Sequence, residues 1–114
     1  MIAIMAAAVL VAHGSSPQDV PRVWEGDEVT FTARPRPDFP MSARANRGEA
    51  GLICTVTARG TFRHCRIEDE TPRGSGFGRA AANSMLQGAQ IAMPEDGPSE
   101  GDQVRAKITF WNGQ

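Results

Sequence analysis

The sequence predicts an α+β domain in which a three-stranded antiparallel sheet carries two helices on one face, in the order helix, strand, strand, helix, strand. Two observations carry that prediction. Apolar residues alternate with polar ones at period two in 52–57 and 104–111, and they recur at steps of four at Phe77, Ala81 and Met85. The chain of 114 residues with 40% apolar content supports one small core.

The first helix is expected over Met41–Arg47, where Pro40 stands in a first-turn position, helix formers follow and Gly48 acts as a stop. The first strand follows: Leu52, Cys54 and Val56 alternate with Ile53, Thr55 and Thr57. Arg59-Gly60 turns the chain. On the return strand the apolar positions are Phe62, Cys65 and Ile67, and the three-residue step breaks the period. A β-bulge near Arg63-His64 would return all three to the core face. Glu68-Asp69-Glu70 reads as a solvated strand end.

The second helix is expected to start at an N-cap Ser75 and to bury the Phe77, Ala81, Met85 stripe. Its glycines, Gly74, Gly76 and Gly78, suggest a phosphate loop only weakly: no strand leads into them, the Lys-Ser/Thr ending is missing, and three acids lie just upstream. Close backbone approach at the start of the helix is the stronger reading. Residues 93–102 form a loop, and Val104, Ala106, Ile108 and Phe110 then alternate with Arg105, Lys107, Thr109 and Trp111 in the cleanest strand pattern of the chain. Trp111, at the strand's end, is expected to cap the core, with contact to a bound peptide as the alternative.

N-terminal to this domain, Ile2–Ala12 is an uncharged apolar run followed by His13-Gly14 and a polar stretch, the pattern of a cleaved secretion signal over residues 1–14. A buried N-terminal strand or a misassigned start is the alternative. The run is too short to span a bilayer, which takes about 20 apolar residues. Residues 15–34 form an arm or linker whose one ordered piece is Glu28–Ala33, with Val29, Phe31 and Ala33 alternating with threonines.

In an exported chain the two cysteines of the mature part, Cys54 and Cys65, favour one disulfide across the hairpin, constraining the unfolded chain by about 2–3 kcal/mol. Zinc would need more ligands than these two and His64 provide, and His64, adjacent to Cys65 in a strand, faces away from it. Twelve basic and thirteen acidic residues give a net charge of −1, and the eleven arginines are dispersed, so no field favours nucleic acid or an anionic membrane. Without Tyr, and with one His after the leader, no nucleophile, base and orienter assemble: an enzyme is not expected, nor a cofactor or metal.

Taken together, the stretch from 35 to 113 resembles the C-terminal domain of TonB, the periplasmic energy transducer of Gram-negative bacteria. The likeness lies in Pro37-Asp38-Phe39-Pro40-Met41-Ser42-Ala43, Gly51, Gly60, Cys65-Arg66-Ile67, Phe77-Gly78-Arg79-Ala80-Ala81, Pro94, and the strand Val104–Phe110. The sequence departs from the family at Gln87–Met93, where bulkier residues are usual, and it shows neither a retained anchor nor a long Pro-rich linker. The resemblance implies periplasmic residence, while the short leader, and not the resemblance, speaks against a permanent membrane span. The resemblance also implies capture of an extended segment from the plug of an outer-membrane receptor, or of another periplasmic protein, along an open strand edge.

That edge would be Gln103, Val104, Arg105, Ala106, Lys107, Ile108, Thr109 and Phe110. Arg105, Lys107 and Thr109 would line its solvent side, either selecting an acidic or polar peptide or merely deterring aggregation. The alternative function is structural, with the same edge pairing with a second copy or with Val29–Ala33 of the same chain.

Overall fold

The computed structural model describes residues 20–113; the expected leader and residues 15–19 lie outside that range. Its strands are β1 (Val23–Glu25), β2 (Phe31–Ala33), β3 (Arg47–Val56), β4 (Phe62–Thr71), β5 (Gln90–Ile91) and β6 (Gln103–Trp111), with helix α1 (Phe77–Gly88) between β4 and β5. Four strands form the main sheet in the order β1-β6-β3-β4, with β3 antiparallel to both neighbours and β1 parallel to β6. β2 and β5 form a separate antiparallel pair. The α+β class thus stands, while the sheet gains a strand and α1 is the only α-helix among the described residues.

The hairpin β3–β4 follows from its sequence. Gly60 takes φ +83°, and a Cβ there would lie 2.3 Å from the Ile91 carbonyl oxygen, so the turn requires glycine. The expected bulge is present: Ile53 pairs with Arg66 but Thr55 with Arg63, and His64 absorbs the extra residue at φ +54°. This sets Cys65 across from the fully buried Cys54, with Cα atoms 4.0 Å apart, and the two form a disulfide. A second bulge between Gly51/Asp69 and Leu52/Ile67 places Glu68 out of register. Ile67 was expected in the core; it meets the start of α1 at Gly78 but remains 45% exposed, because β4 is an edge strand and the helix covers only part of it.

The first expected helix does not form. Residues 41–47 make a single turn, with the Ala43 N–H donating to the Pro40 carbonyl at 3.2 Å, and the chain then enters β3. Tertiary packing overrides the local preference. Phe39, Phe77 and Phe110 form an aromatic cluster, Phe39 edge-on to Phe77 at 5.3 Å and Phe77 tilted against Phe110 at 4.8 Å. The Phe77 ring lies against Gly48, where a Cβ would sit 2.2 Å from a ring carbon. Gly48 therefore works as the strand position beneath that ring, paired with Phe110, and not as a helix stop.

Helix α1 buries Phe77, Ala81 and Met85 as the stripe predicts, against Leu52, Cys54, Val56 and Val104. Its cap differs from expectation. Gly76 is the N-cap, at φ +91°, while the Ser75 hydroxyl donates to the Pro72 carbonyl at 2.6 Å. The orphan amides go to Glu70, whose carboxylate accepts from Gly78 N–H at 2.6 Å and Gly74 N–H at 2.7 Å. The acidic run is thus no mere solvated end: Glu70 is the anion at the helix start.

Two tryptophan positions complete the correction. Trp111 is 67% exposed, because it falls on the sheet face opposite α1. Trp24 of β1 lies in the core instead, 7% exposed, which brings the stretch before residue 35 into the fold. Val29–Ala33 does not pair with the last strand; Phe31 and Ala33 pair with β5.

Candidate functional site

The site the sequence singles out is β6, and its geometry follows from an unbroken register. Arg47 through Thr55 pair with Trp111 through Gln103 without a bulge. Along so regular a strand, successive residues alternate both in side-chain face and in the direction of their N–H and C=O groups. The Gln103 N–H donates to the Arg22 carbonyl at 2.8 Å, on the side away from β3. Arg105, Lys107, Thr109 and Trp111 therefore turn their backbone groups to that same outer side, and Val104, Ala106, Ile108 and Phe110 turn theirs to β3.

β1 covers the start of this outer edge, with Val23, Trp24 and Glu25 opposite Gln103, Val104 and Arg105. The 3-10 turn Gly26–Glu28 closes over Arg105, where a Cβ on Gly26 would stand 3.2 Å from the Arg105 carbonyl oxygen. Beyond it, no strand among the described residues pairs with the outer side of Lys107, Thr109 and Trp111. The expected site thus divides: Gln103–Arg105 is occupied by the chain itself, and 106–111 is open.

Side chains divide by face in the same way. Val104, Ile108 and Phe110 are buried beneath the sheet, so they hold the edge in place and do not present themselves to a partner. Arg105, Lys107, Thr109 and Trp111 lie on the open face. Arg105 donates from Nη1 to Glu25 and from Nε to Glu68, each at 2.9 Å, joining β1, β6 and β4 across the open face. The hydrogen bond from Arg105, then its charge, holds the Glu68 carboxyl below its usual range, and Glu68 and Glu25 in turn raise the Arg105 guanidinium. Lys107 Nζ stands 3.5 Å from Glu49, a looser pair. Ile53 is 3% exposed on this face, flanked in register by Arg66 of β4 and Arg105 of β6.

A groove of about 1000 Å³ runs beside the edge where β1 ends, between Gly26, Phe31 and Arg34 on one side and Lys107 and Ile108 on the other. A shallower depression of about 600 Å³ lies at the far end, among Gly48, Pro72 and Trp111.

Asp102, just before β6, and Trp24 were not singled out by the sequence, yet they fix the closed half of the edge. Trp24 Nε1 donates to Asp102 Oδ2 at 3.0 Å, and the backbone N–H groups of Ser99 and Arg22 donate to the same carboxylate at 3.0 and 3.3 Å. Burial works against the Asp102 charge but is outweighed by these hydrogen bonds and the Arg22 charge, so its pKa falls below the ordinary value. The Arg22 guanidinium stacks over the Trp24 ring at 3.9 Å.

Among the described residues, no cluster of His, Cys, Asp and Glu could hold a metal ion, and no helix is long and apolar enough to cross a membrane. Compared with known proteins, the chain matches no protein-family model and no curated protein.

Proposed function

We propose that this chain is a periplasmic TonB-like peptide-binding domain, taking part in transport across the outer membrane by docking an extended receptor segment on the outer edge of β6. The observation that carries this reading is the regular edge at Lys107, Thr109 and Trp111, whose backbone donors and acceptors face outward with no strand among the described residues beside them. The strand order, with the last strand beside the first strand of the β3–β4 hairpin and the helix over one face, supports the same reading.

A pair of proline substitutions tests it. Lys107→Pro deletes a donor that faces outward, so the sheet keeps its ladder to β3. Ala106→Pro deletes one that faces β3 and should unfold the strand. Fluorescent peptides tiled across receptor plug segments should bind the native chain and lose at least tenfold in affinity to Lys107→Pro, with its circular dichroism unchanged. Equal binding to a folded Lys107→Pro chain would remove the edge-strand mechanism.

The exposed Trp111, at the end of the same edge, favours self-association as the second reading: two β6 edges could pair to give a homodimer. A sedimentation series shows it as a dimer that Lys107→Pro returns to monomer.

A further inference from the structure

β1 sits where an incoming strand would sit. It is parallel to β6, it spans only Val23–Glu25, and it takes the outward donor of Gln103 with the Arg22 carbonyl. Its start is open to solvent: Val20 just before it is 71% exposed, and its first residue, Val23, 40%. One side chain, Trp24, enters the core, and its ring nitrogen meets Asp102. The next residue, Glu25, meets Arg105, which lies on the edge itself.

We propose that β1 is a built-in, displaceable ligand of the β6 edge, and that the outside partner which replaces it is an extended segment of the same chemistry. That chemistry is parallel polarity, an aromatic N–H donor aimed at Asp102, and an acidic residue next in sequence aimed at Arg105. The proposal rests on the edge-docking reading and deepens it, because it names what the covered half of the edge recognises. Three features of the pairing support displacement over permanent incorporation. β1 is held by one buried side chain, whereas its neighbour β6 buries three in Val104, Ile108 and Phe110. The Glu25–Arg105 pair is solvent-exposed and leaves Arg105 still paired with Glu68 when β1 departs. The 3-10 turn after β1 buries none of its own residues, and its hydrogen bond to the strand, from the Glu25 N–H to the Glu28 carboxylate at 2.8 Å, is local and travels with β1. With β1 gone, the open edge grows from 106–111 to the whole of Gln103–Trp111.

The test uses the full chain and a synthetic peptide of residues 20–28. In the native chain, amide exchange of Gln103 and Arg105, which face β1, should run at least tenfold faster than that of Val104 and Ala106, which face β3. Exchange of all four together would overturn the proposal. A Trp24→Ala chain should bind the 20–28 peptide, with the peptide's Trp emission shifting to the blue, while the native chain should bind it at least tenfold more weakly. A peptide with Trp and Glu exchanged should bind neither. If Trp24→Ala fails to fold, Glu25→Arg keeps the buried ring and sets like charges against Arg105; it should raise peptide affinity in the same direction, and no change would overturn the proposal. The outcomes separate the two readings. Binding of the 20–28 peptide with no binding of any plug peptide leaves the displaceable strand standing and removes the receptor role. Plug peptides binding native and Trp24→Ala chains equally, with no binding of the 20–28 peptide, does the reverse.

Discussion

The two sides of the main sheet are protected in opposite ways. On one side β4 carries two bulges, exposed arginines at Arg63 and Arg66, a disulfide to its neighbour and a carboxylate committed to the adjoining helix. Each of these disrupts or blunts a row of backbone groups. On the other side β6 runs without a bulge for its whole pairing with β3, and among the described residues only the short β1 pairs with its outer edge, over Gln103–Arg105. The irregular edge resists a new strand by its geometry, while the regular one resists only over Gln103–Arg105, where β1 occupies it. In the proposed reading, that difference makes β6, and not β4, the edge that exchanges strands.

The largest effect that would test this contrast is on the β4 side. The Cys54–Cys65 bridge closes a short loop, with a sequence separation of 11, and its removal by Cys54→Ala with Cys65→Ala should cost about 3 kcal/mol of stability on the loop-entropy account. A urea titration reads this as a lower midpoint with nearly unchanged slope. The bulge at His64 should then relax, since the αL backbone there loses the crosslink beside it. An unaltered midpoint would mean that the bulges alone keep β4 in register.

A smaller effect is expected at Glu70, which ties the end of β4 to the start of α1. Glu70→Ala leaves the amides of Gly74 and Gly78 without their acceptor and should cost about 1–2 kcal/mol. Gly76, the N-cap, has no side chain to take over as acceptor. Helical circular dichroism should fray at Phe77–Arg79 while β6 is unaffected. Loss of protection along Lys107–Trp111 would instead show that the two sides are coupled.

How much of this could be read from the sequence depends on the range of each interaction. Alternation in 104–110 marks which residues of β6 are buried, the step from Phe62 to Cys65 marks the bulge, and the stripe Phe77, Ala81, Met85 marks α1. All three are local periodicities, and all three are found. What lies beside β6 is not local. Val23–Glu25 is shorter than any window in which a period of two is visible, and its partner lies about 80 residues away, so local pattern alone gives an arm or linker there. The expected helix at Met41–Arg47 failed for a related reason: Pro40 and Gly48 carry genuine helix signals, but a ring from residue 77 needs Gly48 extended beneath it. Trp111 and Trp24 were separable only by phase. The odd positions of β6 face away from α1, which a strict extension of the alternation to Trp111 would have indicated. As for the candidate site, the residues of the edge were legible, and which of them the chain covers with its own strand was not.

The smallest effect distinguishes the sides by pH. Asp102 accepts hydrogen bonds from Trp24, Arg22 and Ser99, and its folded pKa lies below its unfolded value near 3.8. A carboxyl depressed in the folded state contributes stability that is present above the unfolded value and disappears as pH falls through the folded one. Acidification below about pH 4 should therefore loosen β1 first. In a Trp111→Phe chain, where Trp24 is the sole indole, its emission should shift to the red over that range before the far-ultraviolet signal changes. Asp102→Asn, which keeps an acceptor oxygen but cannot titrate, should make the emission nearly flat over the same range. Glu68 is depressed as well, through Arg105, but its loss leaves the Trp24 ring in place, so Glu68→Gln should leave the emission midpoint where it was. If Glu68→Gln instead flattens the emission as Asp102→Asn does, β1 is held chiefly by the charged row across the open face. The contrast between the two sides would then be one of ion pairing more than of strand geometry.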